Sequence, residues 1–591
     1  MFKQKAVPKY IQIRTYTLMI KQFFLLCIGG TYLLDTTIRL DSRDSFIELI
    51  SYEDSEVIIT GGISVPIQEA KKGKEITVKV PGKCGDVFLD DLRLIKARSP
   101  NVKEWTENVP IASGPYHTVT DLLETTDNCN MESNIFSQTC PHVNRQGFVF
   151  DDEFSEEWEN LNETEVIIYH SWIAEIVKVA YLSHENSRNE VHFQEPLKHT
   201  EIGTYPTAGA FRFIILNNKA LLDYPGEYIC QQIDDFLTEV SFIPMADIET
   251  GILTMAQNHV LLLTNKATNL KFSGLSFQHS SSQDVKDGYQ WGSDSAVKIL
   301  NTHDVVVENC EFSHIGVIGL YLANTDTVTI KQCFFNDVGS HAIQVMPIGE
   351  SASKNILIEN NILQGCGLTN FWQPACIWAD IESNATIAHN DISGPPTGIN
   401  FKSNKKGKSY WGDRNITSPA RGDYINHVEF NKVHNFGNGI LNDFGGIYLG
   451  PKGIACDEAT LEEMEEWCYS YTHVYNNMIN DGNAFFIGSA FLYSDVGLSR
   501  VTFENNILYG NIYIGIKHHC GLDNWSINNF LHSTSQTYYP NKDHFLLSGC
   551  GKDSFWEYQN HHNIYVMSNI TNLSVFRPYQ VKMHEINIWP K

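Results

Sequence analysis

Two aspartates sit where the sequence departs from its own rhythm, and their placing suits bond cleavage. Asp443 lies in GILNDFGGIYLG (439–450), ahead of a Gly-Gly pair and an aromatic strand that carries Tyr448. Asp495 lies in SAFLYSDVGLS (489–499), at the end of the equivalent strand in a later repeat. They are 52 residues apart in sequence. Neighbouring strands of a stacked sheet, however, are separated by only about 4.8 Å. Both acids are therefore expected to overhang one face of adjacent coils. Glycosidic cleavage needs two carboxylates on a cleft, one to protonate the leaving oxygen and one to act as nucleophile or base. One of them must stay protonated near neutral pH, and repulsion from a close second carboxylate is expected to raise its pKa. GIKHHCG (515–521) then places His518 and His519 at the corresponding strand end of the next coil. The plainer reading is that an Asp in a coil turn merely bonds its own backbone. A metal held by His518, His519 and Cys520 is set aside, and the paired-acid chemistry calls for no metal or cofactor.

Such residues need a scaffold that stacks distant segments, and a repeat supplies one. From about residue 255 an apolar-alternating strand is followed by a polar residue or Cys, two mostly apolar positions and a turn. DVVVENCEF, TVTIKQCFF, NILIENNIL, HVEFNKV, VTFENNIL and SINNFL are instances. The equivalent residues are Cys310, Cys333, Asn361, Asn390, Asn431, Asn477, Asn506 and Asn529, at intervals of 23, 28, 29, 41, 46, 29 and 23 residues. One bare coil is then 23 residues, and longer intervals contain inserted loops of the kind that build binding faces. Stacked inward Val, Ile, Leu and Phe make a continuous core, and a buried turn Asn can bond the backbone of adjoining coils. A β-sandwich would show hairpin turns between paired strands, and a leucine-rich repeat a regular Leu framework. The expected fold is all-β: a right-handed parallel β-helix, a pectate-lyase-like solenoid. Residues 1–62 read as an N-terminal segment with the first coils, 63–250 as an inserted or capping β-rich domain, and 251–591 as the main β-helix. The stretch 455–470 reads as a helical insertion.

Composition narrows the partners. A net charge of −26 over 591 residues repels nucleic acid and anionic membranes over much of the surface. The run FFLLCIGGTYLL (23–34) has signal-peptide character, but it is short and interrupted by Gly, and a buried strand is the favoured reading. No membrane span is expected. The thirteen cysteines include no C-x-x-C pair. Cys129/Cys140 and Cys456/Cys468 are spaced for local disulfides. Sequons begin at Asn162, Asn384, Asn415, Asn524, Asn569 and Asn572. Together these features lean toward a secreted or lumenal glycoprotein.

In order along the chain, GGTYLL, SEVIITGG, DDLRLIKARSPN, EVIIYHSW (165–172), LDYPGEYIC, QPACIWA, LNDFGGIY, YSDVG and HHCGLDNW resemble segments of glycoside hydrolase family 141 and related large right-handed β-helix proteins. The resemblance implies action on a plant-type polysaccharide or oligosaccharide, with α-L-fucosidase and xylanase among the family's activities. It nominates Asp443 and Asp495 as the acid pair and His519 and His170 as substrate contacts; His518, Tyr448 and Trp378 complete the candidates. Trp378, with Trp291 and Trp372, is read as a loop residue able to stack on sugar faces. The sequence departs from the family pattern at Asp91, where Asn-Gly is usual, at Tyr228 for Trp, at Val496 for Glu, and in the shifted His518. A glycan at Asn524 would crowd the cleft. Two other functions remain open. One is a non-catalytic carbohydrate-binding surface protein. The other is a polysaccharide lyase or epimerase, which needs a basic cluster and a Lys or Tyr base. Lys402, Lys405, Lys406 and Lys408 share one polar loop and read as solvated surface.

Overall fold

The computed structural model describes residues 23–590 except 104–107, 124–144, 152–160, 198–210, 283–294, 404–407, 416–425, 452–468, 520–523, 534–544, 549–557, 568–580 and several breaks of one to three residues. The expected helix at 455–470 falls almost wholly outside the described residues. Trp291, Trp372, Val496, Cys520, Cys129, Cys140, Cys456 and Cys468 lie outside them too.

Period-two alternation turns every second side chain inward, and parallel stacking lines those side chains up. Ile59, Phe277, Phe312, Phe335, Leu363, Ile392, Val433, Ile479, Leu508 and Leu531 form one such inward column, in register from coil to coil. All are buried. Among the described residues, parallel sheets of 21 and 13 strands form the walls of the solenoid. FFLLC forms the strand Phe23–Cys27, paired with Ile47–Ser51, and Gly30–Leu33 forms a second; the run at 23–34 is thus strand but not the buried strand expected, with Phe23, Phe24, Ile28 and Leu33 exposed.

The Asn register is the ladder expected from the repeat. Each Asn accepts the backbone N–H of the preceding rung: Cys333 to Asn361, then Asn361 to Asn390, Asn390 to Asn431, Asn431 to Asn477, Asn477 to Asn506, and Asn506 to Asn529, all at 2.9–3.0 Å. Asn529 donates in the same way to Asn563, a further rung. Each Nδ2 also reaches a carbonyl one coil back, as Asn431 does to Ile387 at 2.8 Å. Asn524 belongs to a parallel arrangement, accepting from Val501 and donating to Leu498. It is buried. A glycan therefore cannot reach it in the folded chain, which removes the expected crowding. Asn384, by contrast, is exposed.

Gly62–Ala70 pairs antiparallel with Ile248–Ala256, and mainly antiparallel sheets occupy the stretch between them, the expected inserted region. That stretch has two hydrophobic cores of its own, while Ile95, Ile111, Ile167, Tyr169, Ile214 and Leu216 pack into the solenoid core. Cys84–Cys230 bridges this region and Cys366–Cys376 closes a turn beside the solenoid core; the sequence spacing suggested neither pair.

Candidate active site

The outward side chains of the large sheet also stack. Tyr321, Gln344, Trp378, Asn400, Tyr448, Tyr493 and Lys517 occupy one register on successive strands. Two residues further along, on the same face, come Asp380, Lys402 and Gly450, and then Asp495, whose N–H bonds Leu449 at 2.8 Å. Though outward-facing, most of these residues are buried.

Asp443 precedes the strand Gly445–Pro451 and has a left-handed backbone, φ 54°. Its Oδ1 accepts from Lys517 Nζ at 3.0 Å and from Tyr493 Oη at 3.1 Å. Asp495 follows Ala490–Ser494. Its Oδ2 accepts from Tyr448 Oη at 2.5 Å, and its Oδ1 faces His519 Nδ1 at 2.6 Å. The two tyrosine rings meet edge to face at 5.0 Å, so a tyrosine pair joins the carboxylates. The acids are on neighbouring coils as expected, at opposite ends of their strands. Of the two acids only Asp443, with Tyr448, lines the small cleft there, alongside Trp172, Gln373, Asn400 and Phe444.

The electrostatics differ from expectation. Burial by itself would raise the Asp495 pKa. The His519 hydrogen bond, the Lys517 charge and the Tyr448 hydroxyl outweigh that and hold it at about 2. Asp495 is therefore ionised and is not the raised acid. Burial lowers and the Asp495 contact raises the His519 pKa, with a net rise. Burial drives Tyr448 far upward, and the Asp495 charge adds to it.

His519 thus joins Asp495, while His518 turns away. It is buried, bonded to Ser494 at 2.6 Å and stacked on Phe503, and burial lowers its pKa to about 3. His170 is buried in the inserted region beside Glu175 at 3.0 Å, whereas its neighbour Trp172 lines the cleft. Trp378 is not an exposed loop residue. It lies within the strand Ala375–Ala388 and is 1% exposed, because the face it occupies is covered. Lys402 is not solvated surface either. Its Nζ lies 4.5 Å from the Tyr448 ring centroid and 5.5 Å from that of Trp378. Burial lowers its pKa to about 8 against the pull of Asp495 and Asp380. Gly450 makes room for it: a Cβ there would sit 2.8 Å from Lys402 Nζ. Lys517 and Tyr493 were not singled out from the sequence, yet each stands two residues before a nominated group. Strand alternation alone puts them on that group's face.

The Asp495–His519 pair makes a pH prediction. A histidine whose folded pKa is raised stabilises the fold below its unfolded value, near 6.5, and loses that contribution as pH rises through the folded value. The lowered Asp495 stabilises above its unfolded value and loses that only as pH falls toward about 2. The melting-temperature gap between wild type and His519→Gln is therefore expected to be wide at about pH 6 and narrow by about pH 9. A gap that widens with pH would contradict the pairing.

Residues 245–392 match a family model described as a right handed beta helix region. The fold is a right-handed parallel β-helix. A solved structure described as "Glycoside hydrolase" shares it, with TM-score 0.60 and 14% identity over 91% of this chain and 89% of that one. A complex of XylC with xylose aligns over 92% of this chain and 78% of that one, at 10% identity and a TM-score of 0.41, too distant to bear on function. No curated protein matches the chain. Among the described residues no helix is long and apolar enough to cross a membrane.

Proposed function

We propose that this β-helix is a carbohydrate-active enzyme, a glycoside hydrolase acting on a polysaccharide or oligosaccharide at the Asp443–Asp495 site. The observation that carries this reading is Asp443 in the cleft wall, joined through Tyr493 and Tyr448 to a second, ionised carboxylate. Asp443 Oδ1 is held by Lys517 and Tyr493, which orients the group as nucleophile or base. Since Asp495 is held ionised, its part is to keep His519 protonated, and that imidazolium supplies the proton to the leaving oxygen. Trp172, on the same cleft wall, offers a face for a sugar ring. The finer assignment, to the family 141 type and a plant-type polysaccharide, rests on the resemblance of the sequence segments. A secreted or lumenal location fits such a substrate.

Lys402 favours a second reading, a lyase or epimerase on uronic acids. A lysine with its pKa lowered to about 8, its Nζ over the Tyr448 ring, has the attributes of a base. Products separate the readings. Incubating the protein with neutral and uronic polysaccharides is expected to release reducing ends without an ultraviolet-absorbing unsaturated product. An unsaturated product would establish the lyase. Glycan binding with no turnover on either panel would establish a binding protein.

A further inference from the structure

On the solenoid's smaller sheet, away from the Asp443 cleft, His279, His314 and Asp337 hold one position on three successive coils. Their flanking residues pair in register, and all three have left-handed backbones, with φ of 54°, 58° and 55°. The two imidazoles stack at 5.1 Å. His314 Nδ1 contacts Asp337 Oδ2 at 2.8 Å, and His279 Nδ1 contacts Thr60 Oγ1 at 3.1 Å. Both Nδ1 atoms are thereby engaged, which leaves Nε2 of each ring as the atom for a ligand. Yet His279 is only 6% exposed and its Nε2 has no hydrogen-bond partner. A buried polar atom left unpaired is costly and calls for an explanation.

The inserted region supplies the third group. The turn between Val87–Leu89 and Leu92–Arg93 carries Asp91, with φ 63°, over the histidines. Its Oδ1 is 3.8 Å from His279 Nε2, and one ligand atom from each of Asp91, His279 and His314 fits within 4.8 Å of the others. Ligands about 2.0–2.2 Å from a tetrahedral zinc are separated by roughly 3.4 Å, so a small closure completes the set. Arg93, the adjacent cation, is already paired with Asp86 at 2.9 Å and Asp337 at 2.6 Å. With Asp91 the cluster therefore carries three carboxylates against one guanidinium, a surplus of negative charge that suits a divalent cation.

We infer that Asp91, His279 and His314 form a binding site for a divalent transition-metal ion, zinc by ligand type, that ties the inserted hairpin to the coils. Asp337 and Thr60 orient the rings from behind, as second partners of metal-ligating histidines do. A fourth position, on the side of the exposed Asp91 carboxylate, is left to water. Two imidazoles and a carboxylate with an open fourth position match a catalytic-type zinc donor set and suit divalent ions of borderline softness.

The test uses the full chain, stripped with EDTA and titrated with Zn²⁺ by calorimetry and with Co²⁺ by visible absorption. Expected are one ion per chain, a tetrahedral Co²⁺ spectrum, and a melting temperature raised by Zn²⁺. Asp91→Ala and His314→Gln should each weaken Zn²⁺ binding by at least about tenfold and abolish the thermal shift, measured against each variant's own melting temperature in EDTA. If His314→Gln fails to fold, Asp91→Ala decides alone, since Asp91 is exposed. No Zn²⁺ binding by wild type, or equal binding by wild type and Asp91→Ala, would overturn the site.

Discussion

Asp443→Asn is expected to lower kcat/KM for glycoside hydrolysis by about 1000-fold with only a modest loss of melting temperature, as buried Lys517 loses one charged partner. The side chain is partly exposed on a cleft wall, and the amide keeps an oxygen for Lys517 and Tyr493. What it loses is the charge and lone pair that attack or activate water, which matter only at the reacting carbon. Asp495→Asn should behave differently. It uncouples His519 and leaves a buried site facing Lys517 with less negative charge. Its loss of activity should come with a lower melting temperature. Equal activity in wild type and Asp443→Asn, with both variants folded, would remove Asp443 from the mechanism.

The second large effect concerns stability. Asn431→Ala is expected to destabilise the chain by about 3–5 kcal/mol, read as the shift in the urea midpoint. Asn431 Oδ1 accepts from both Asn390 N and Asn390 Nδ2, and Asn431 Nδ2 donates to Ile387 O and Asn477 Oδ1. Truncation leaves two buried donors and a buried carbonyl unpaired, at about 1–3 kcal/mol each, in a space too enclosed for easy repair. Phe430→Ala, one residue earlier, is the control. Phe430 is exposed, stacking on His389 of one neighbouring coil and meeting Tyr475 of the other edge to face, so the expected loss is under about 1 kcal/mol. Similar losses in the two variants would mean that the ladder is not what holds adjacent coils in register.

The coils were readable because stacking imposes a local requirement at every turn. A buried turn must satisfy its own amides, so Cys310, Cys333 and the Asn series recur in one register, and inward Phe, Ile and Leu alternate beside them. The covering of the outward face was not readable. Trp378 and Lys402 look like surface residues because alternation reports which wall face a side chain is on, not what is packed over it. The cover over that face, with Trp172 in it, comes partly from more than 200 positions earlier in the chain. Cys84–Cys230 escaped notice for the same reason, since its 146-residue separation carries no local mark. The Asn524 sequon misled because the triplet is blind to burial. Asp443 and Asp495 were nominated correctly as neighbours, but the raised pKa expected from their proximity did not account for Lys517 and His519, which neutralise the pair.

The Asn ladder is directional. From Cys333 onward each rung gives its backbone N–H to the coil that follows it in sequence. During synthesis, therefore, a coil that has left the ribosome still lacks the acceptor for its buried amide until the next 23 to 46 residues emerge. Co-translational folding should trail translation by one coil. The long coil between Asn431 and Asn477 would set the longest wait. A synthesis pause placed within it should keep that unsealed solenoid end open to proteases for longer.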